Sequence, residues 1–317
     1  HEAVFLADEA SLDGGRLLGM LGAANRARPS VTVIHESAAT VDRSGVVTTD
    51  HGTELVADAV VLAAGMRTAE LLQASGLDAL VPTLFAGRGV SIVARSPESV
   101  PGCIRTPNRS FACGLHLVPR SDGLTYLGAT NRFTTQPSAD MGPNMAELDD
   151  LITSGVRELD ARLRRAEVVS MAVGHRPVAM DRLPVVGRTA EPAILLATGT
   201  WRNGFVLAPM VADLVAEEIS GNGTVGKHPF AATRSIRPPE LDEASIRRAA
   251  EGIADALLGG GSLAAGRNAD LVAFLQAALA READVPGGDR AVARLLERAP
   301  MEEALPLVFD LLARRRR

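Results

Sequence analysis

The chain has 317 residues, of which 46% are hydrophobic and 22% are charged. This ordinary globular balance excludes wholesale disorder and leaves ample length for one large domain or two smaller ones. The formal net charge of -5 argues against a general affinity for nucleic acid or for an anionic membrane surface. No apolar run approaches the roughly 20 residues of a membrane span, and Cys103 and Cys113 match no metal-ligand spacing. We therefore expect a cytoplasmic protein that has no metal site and binds neither nucleic acid nor membrane.

The chain opens with HEAVFLADEA, which is acidic, lacks an initiator Met and has no signal-peptide pattern. We expect this beginning to reflect processing, trimming or the choice of chain boundary. Apolar residues on one face predict a helix over residues 12–27. The alternating stretch VTVIHE at residues 31–36 predicts a strand, which residues 38–42 continue.

Residues 45–65 predict three strands, the first two joined by an Asp-His-Gly turn. The third strand ends at Gly65. Its continuous apolar run, residues 59–64, is typical of a strand that is covered on both faces in an α/β sheet. Thr68 is expected to cap a short helix that runs to residue 74.

Residues 84–135 contain strand patterns separated by Pro and Gly turn signals, which predict an antiparallel sheet in a separate domain. An amphipathic pattern predicts a helix over residues 145–163. Two strands are expected at residues 168–173 and 193–197, with a loop rich in Arg and Pro between them. A helix is expected from Gly204 to Gly221. From about residue 233, Ala/Leu/Arg/Glu segments around a GGGS linker indicate a helical tail or a docking element.

Three segments are candidates for chemistry, and each also has a purely structural interpretation. VVLAAG at residues 60–65 ends a strand in small residues, which admits a cofactor or allows tight packing against a helix. GHRPVAMDRLPVVG at residues 174–187 places Arg176 before a Pro, where its guanidinium binds a carboxylate or pairs with Asp181. GTWRNGFVLAP at residues 199–209 places Arg202 at a helix N-terminus, which suits an anion or a ring oxygen, unless Asn203 merely caps the turn.

In this order, and with HLVPRSDGLTYLGAT at residues 116–130, these segments resemble the C-terminal part of the FAD-dependent D-amino-acid-oxidase superfamily. The similarity is to its glycine oxidase and sarcosine oxidase branch, and it spans roughly residues 1–230. It implies an α/β (α+β) fold with an incomplete Rossmann-like FAD-binding domain formed by residues 31–75 and 171–232. An antiparallel-sheet substrate-binding domain would comprise residues 1–30 and 76–170, followed by a helical tail at residues 233–317.

The resemblance also implies roles for individual residues. Arg176 binds the substrate carboxylate, Arg202 lies near it and near the flavin, and His116 and Asn131 lie at the substrate pocket. His116 and Asn131 depart from the family pattern, which puts glycine as the substrate in doubt. The implied FAD-binding residues are Val41 at the adenine end, Ala63, Ala64 and Gly65 near the ribose and diphosphate, and Gly174, Gly199, Trp201, Arg202, Asn203, Gly204, Phe205 and Val206, with the backbone of residues 203–206 at the pyrimidine edge of the isoalloxazine ring.

Members of the family begin with a strand that leads into GxGxxG, and this chain has no such opening. We therefore expect an N-terminal FAD-binding chain or segment that carries the motif to complete the protein. The implied reaction is the FAD-dependent oxidation of a small amine or amino acid to an imine. The alternatives are a catalytically silent ligand- or partner-binding subunit of a flavoenzyme complex, and a flavin-dependent dehydrogenase that uses an acceptor other than oxygen.

Overall fold

The computed structural model describes residues 4–8, 10–82, 84–96, 98, 100, 102–107, 112–134, 142–179, 181–221 and 228–235, with short pieces between residues 246 and 277. The described helices are α1 (Gly14–Arg26), α2 (Arg67–Ala74), α3 (Met145–Glu158) and α4 (Gly204–Ser220), with short 3₁₀ helices at Asp78–Leu80 and Ala161–Arg165. The described strands are β1 (Ala38–Val41), β2 (Val46–Thr49), β3 (Glu54–Val56), β4 (Val60–Leu62), β5 (Leu84–Arg95), β6 (Ile104–Arg105), β7 (Ala112–Pro119), β8 (Thr125–Thr130), β9 (Arg132–Thr134), β10 (Glu167–Ala179), β11 (Val185–Arg188) and β12 (Ile194–Thr198).

The largest sheet is antiparallel and has the order β10-β5-β8-β7-β6, with β9 also paired to β5. Helix α3 covers one face of this sheet, because Leu151 packs with apolar side chains of β5, β7 and β8 such as Ile92, Leu117 and Leu127. The start of α3 is fixed by a capping box between Asn144 and Glu147. The antiparallel sheet predicted for residues 84–135 is therefore confirmed.

A second sheet has the order β11-β12-β4, in which β12 runs parallel to β4 and antiparallel to β11. Its core includes Leu62 of β4 and Leu196 of β12, together with Leu72 of α2. The parallel pairing brings the carboxyl ends of β4 and β12 to the same edge, which is where ligands bind in open α/β sheets. Helix α4 begins at that edge and ends at Gly221, which has the left-handed φ of 72° predicted for a C-cap.

Three local predictions were wrong. Residues 31–36 are not a strand, because they form no ladder with another described segment. An alternating apolar pattern becomes a strand only where a neighbouring strand supplies hydrogen bonds. β4 is covered on one face only, because Val61 is 37% exposed while Leu62 is buried. Thr68 does not cap α2: Met66 stands at the N-cap position without a side-chain hydrogen bond, and Thr68 is buried inside the first turn.

The segment predicted as a loop between residues 173 and 193 contains ordered strands instead. β10 continues through Pro177 to Ala179, and β11 follows at Val185–Arg188. Pro177 is tolerated because β10 is an edge strand of the large sheet, where a missing backbone N–H leaves no neighbour unpaired. The division into two domains stays a prediction, and β10 crosses its expected boundary between residues 170 and 171.

Most of the predicted tail, including the GGGS linker at residues 259–262, lies outside the described residues. Within its described pieces, Ala250 and Leu275 are buried. In the part of the chain that the structure describes, none of the helices has the length and apolar character needed to cross a membrane.

Candidate functional site

Arg176 lies in β10, with its guanidinium held by two neutral acceptors. Its Nη1 donates to the carbonyl oxygen of Thr130 at 3.1 Å and lies 3.5 Å from Oδ1 of Asn131. Asn131 is 2% exposed, so its side chain contacts the guanidinium rather than lining open space. The structure thus brings Arg176 and Asn131 together, and Asn131 is placed to orient the arginine.

The face of the large sheet that carries Arg176, here called the arginine face, is lined by glycines. Gly87 pairs with Arg176 and Gly89 pairs with Gly174 across the β5–β10 ladder, so all four residues share one face. A Cβ on Gly89 would lie 2.6 Å from Cζ of Arg176, while a Cβ on Gly174 would meet nothing within 4 Å. The guanidinium therefore lies directly over Gly89, beside open space at Gly174.

Asp181 does not pair with Arg176. Both oxygens of Asp181 accept hydrogen bonds from Arg234, at 2.7 and 2.9 Å. Burial opposes ionisation of Asp181, but Arg234 and the Leu183 N–H outweigh it and lower the pKa of the carboxyl. Among the described residues, no carboxylate forms an ion pair with Arg176. This leaves the guanidinium able to bind an external carboxylate through parallel hydrogen bonds.

His116 also lies on the arginine face but at a distance from Arg176. Across the sheet, His116 of β7 pairs with Gly128 of β8, Gly128 pairs with Ser91 of β5, and Ser91 pairs with Ala172 of β10. His116 is therefore three strands away from β10, at the level of a residue that lies four positions before Arg176. Strand spacing and rise put the two backbones on the order of 20 Å apart. Between them, Tyr126 covers Gly128, where a Cβ would lie 2.7 Å from the tyrosine Cε1.

A second group of predicted residues meets at the carboxyl ends of β4 and β12. Ala63, Ala64 and Gly65 follow β4, and the Thr198 hydroxyl at the end of β12 donates to the Gly65 carbonyl at 2.9 Å. Gly65 and Gly199 have φ values of 59° and 73°, which only glycine adopts readily. A Cβ on Gly65 would meet nothing within 4 Å, so the backbone there is open to a ligand.

The turn at residues 200–203 joins this edge to β10. Trp201 N–H donates to the Pro177 carbonyl at 3.1 Å, and Thr200 forms an isolated bridge with Val178. Arg202 stacks on the Trp201 ring, with Cζ 4.3 Å from the ring centroid. The turn that carries Arg202 is therefore hydrogen-bonded to β10 at Pro177, the residue next to Arg176.

The start of α4 fits an electron-rich ring or an anion. Asn203 occupies the N-cap position but makes no side-chain capping bond, so the interpretation of Asn203 as a helix cap is wrong. The first-turn N–H groups of Gly204, Phe205 and Val206 have no partners within the helix, and they carry its partial positive charge. Phe205 packs on α1, since a Cβ on Gly14 would lie 2.9 Å from its Cε2.

Val41 is placed differently from the other predicted cofactor residues. Its side chain is buried in the core of the smaller sheet, and its N–H donates to the Ser75 hydroxyl at 2.9 Å. A contact with the adenine end of FAD stays a prediction for this residue.

Behind the arginine face, a buried ion pair supports β5 and β10. Arg88 Nε donates to Glu147 Oε1 at 2.8 Å, and Glu147 is almost fully buried at the start of α3. His175 pairs with Arg88 across the ladder and so points to this opposite face. Burial, and then the nearby Arg88 charge, lower the pKa of His175, and the carboxylates of Glu147 and Glu70 act in the other direction.

Sequence reasoning missed Gly89, Thr130 and the glycines that accompany them. The available signal was the pattern GRG at residues 87–89, within the region predicted to form an antiparallel sheet. Glycines inside a strand often mark a place where another group approaches the backbone closely. It also missed a GxGxxG spacing at residues 221–226, of which only Gly221 is described. That spacing directly follows α4, whereas the dinucleotide fingerprint follows a strand and opens a helix.

No group of metal-binding side chains occurs within the described ranges.

The family model described as FAD dependent oxidoreductase (DAO) matches residues 1–218. A glycine oxidase of Pseudomonas putida is 32% identical over 225 residues, which are 69% of this chain and 58% of that relative. A glycine oxidase of Geobacillus kaustophilus is 30% identical over 197 residues, or 62% of this chain and 49% of the relative. The crystal structure of glycine oxidase from Geobacillus kaustophilus matches with a TM-score of 0.52 at 24% identity, over 65% of this chain and 54% of that chain, which shows a shared fold. The chain spans about half the length of these relatives.

Proposed function

Because the chain belongs to the family of FAD-dependent oxidoreductases, in its glycine oxidase-like branch, we propose that it binds the substrate in an FAD-dependent amine or amino-acid oxidoreductase. FAD is the cofactor of this family. When bound, it would supply the redox chemistry by taking up a hydride from the carbon that bears the amine, and the resulting iminium would lose a proton to solvent to give the imine. The observation that carries the proposal is Arg176, a guanidinium on a glycine-lined face with neutral protein partners only, within the described residues.

Each group of site residues has a defined task in this proposal. Arg176 binds the substrate carboxylate, while Thr130 and Asn131 fix its orientation. The N–H groups that open α4 would favour negative charge on the pyrimidine edge of the flavin, and Arg202 would lie near both this edge and the substrate carboxylate. Gly65 and Gly199 let the cofactor approach the backbone at the ends of β4 and β12. This positioning provides much of the catalytic effect, because a substrate held in a reactive orientation needs no further ordering.

We also propose that a segment carrying a strand, GxGxxG and a helix completes the FAD site. The proposal is supported by the half-length coverage of the relatives and by two incomplete surfaces. Helix α1 has no buried residue, and three of its large apolar side chains, Leu18, Met20 and Leu21, are exposed. β4 pairs with β12 on one side and has no further neighbour among the described strands, so its other edge can accept a parallel strand.

Replacing Arg176 by Ala in the assembled flavoprotein tests the central assignment. A bidentate, charge-assisted pair is lost, so we expect kcat/KM for an amino acid to fall by about 2–4 kcal/mol of transition-state binding while the 450 nm flavin band is retained. Arg43→Ala serves as the control, because Arg43 is an exposed arginine that pairs with Glu191. Parental turnover by Arg176→Ala would show that this arginine does not bind the substrate.

A further inference from the structure

We propose that Trp201 is a positioning residue that holds Arg202 on its indole face and joins it to the strand of Arg176, so that both arginines meet one substrate carboxylate. This inference rests on the function proposed above and adds the residue that sets the spacing of the two cations. Three observations carry it: the backbone conformation of Trp201, its hydrogen bond to β10, and the stacking of Arg202.

The backbone of Trp201 is held in an uncommon conformation. Its φ is 47°, in the left-handed region that side chains with a Cβ rarely occupy. It lies two residues after Gly199, and its N–H donates to the carbonyl of Pro177, the residue after Arg176. Such a conformation persists only where the surroundings impose it, and here the imposing contacts come from the arginine strand. The position of residue 202 therefore depends on β10.

The ring of Trp201 is used through its face rather than through its N–H. Arg202 Cζ lies 4.3 Å from the ring centroid, within cation–π range. The indole Nε1 is buried and has no hydrogen-bond partner among the described residues. A buried donor without an acceptor is unfavourable, and a phenyl ring would avoid it. An indole nevertheless occupies this position, and its face attracts a cation more strongly than that of phenylalanine.

A first experiment tests the stacking in the chain itself. Trp201 is the only tryptophan of the sequence, so its fluorescence can be read without interference. Because the guanidinium covers one of the two ring faces, we expect Arg202→Met to raise the acrylamide quenching constant about twofold. Arg43→Met, the same change at an exposed arginine paired with Glu191, should leave quenching at the parental value. Equal quenching in Arg202→Met and the parent overturns the stacking.

A second experiment tests the positioning in the assembled flavoprotein, with acetate as the probe and the flavin absorption spectrum as the readout. We expect Trp201→Leu to bind acetate about tenfold more weakly than the parent, with Trp201→Phe between them and flavin content unchanged. The double variant Trp201→Leu/Arg202→Met should bind acetate no more weakly than Arg202→Met alone, since both changes remove one interaction.

The possible failures of this experiment are distinguishable. Parental acetate affinity in both Trp201 variants overturns the positioning role, while a weakened Arg176→Ala variant still supports the proposed function. If Trp201→Leu loses its flavin, the acetate affinity of Trp201→Phe relative to the parent tests the positioning role. A parent that binds neither flavin nor acetate overturns the proposed function together with this inference.

Discussion

At the scale of single residues, the placement of Arg176 depends on Gly89, the glycine that its guanidinium covers. Gly89 pairs with Gly174, and the Arg176 guanidinium occupies the space where a side chain at position 89 would lie. The contact is with the end of a flexible side chain rather than with backbone. Filling that space should therefore move the guanidinium without disturbing the sheet.

Gly89→Ala tests this directly. We expect the displaced guanidinium to lose its orientation toward the substrate, which costs roughly 1.5–3 kcal/mol in kcat/KM, the range for hydrogen bonds to charged groups. The melting temperature should stay near that of the parent. Gly174→Ala, whose Cβ meets no protein atom within 4 Å, is the matched glycine substitution on the same ladder for the thermal melts, and it should also keep the parental melting temperature. Unchanged kinetics in Gly89→Ala would contradict the placement of Arg176.

The sequence makes Arg176 a candidate for carboxylate binding, because the Pro that follows it is local information and because the segment resembles the family motif. It could not reveal that Gly89 and Asn131 surround the guanidinium, since that contact depends on the register of β5 and β10 across a long loop. Asp181 was a reasonable partner by proximity in sequence, but Arg234 takes it in the folded chain.

At the scale of elements, His175 shows how β10 separates two environments. The side chain at position 176 faces the glycines, while the side chain at position 175 faces Arg88 of β5, with Glu147 of α3 and Glu70 of α2 nearby. Burial comes first among the causes that lower the pKa of His175, and the Arg88 charge comes second. The lowered pKa favours the neutral imidazole in the folded chain.

This arrangement predicts a pH dependence of stability. The folded pKa of His175 lies below the unfolded value of about 6.5, so the unfolded chain binds the proton more readily. The contribution of His175 to stability is fully present above about pH 6.5 and is lost as the pH falls from there toward the folded pKa. Thermal melts between pH 8 and pH 5 should show a steeper loss for the parent than for His175→Gln, which cannot titrate. Parallel melting curves would show that His175 is not responsible.

The elements predicted best were those whose signals are local. α4 begins after the RNG turn and ends at the left-handed Gly221, and the hairpins of the large sheet follow Gly and Pro signals. The predictions for residues 31–36 and for the second half of β10 were wrong, because a strand forms only where a neighbouring strand supplies hydrogen bonds, which a local pattern does not reveal. Alternation at 31–36 has no ladder partner in the described structure, and Pro177 hid a strand that lies at an edge.

At the scale of the whole molecule, the exposed face of α1 and the edge of β4 that has no partner among the described strands support the proposal of a completing segment. We expect residues 1–317 by themselves to retain little FAD, and joint production with a segment carrying a strand, GxGxxG and a helix to restore it. A cofactor present at a hundred times its dissociation constant stabilises a protein by about 2.7 kcal/mol, which corresponds to roughly 5–10 °C in melting temperature. The assay is the 450 nm flavin band combined with thermal melting.

Leu18→Asp provides the matching control for this association. Leu18 is 60% exposed in α1, so the substitution should leave the melting temperature of the isolated chain unchanged while it weakens binding of the completing segment. Tight, stoichiometric FAD on the isolated chain would contradict the need for a second segment.

A substitution at Pro177, Val178, Thr200 or Trp201 reaches two parts of the candidate site at once. These residues attach the strand that carries Arg176 to the turn that carries Arg202, so a substitution that shifts one backbone shifts the other. In the function we propose, a single substitution at one of these positions would therefore change both the preference for a particular amine and the ease with which the flavin takes up electrons. The two properties could not be tuned separately through this part of the fold.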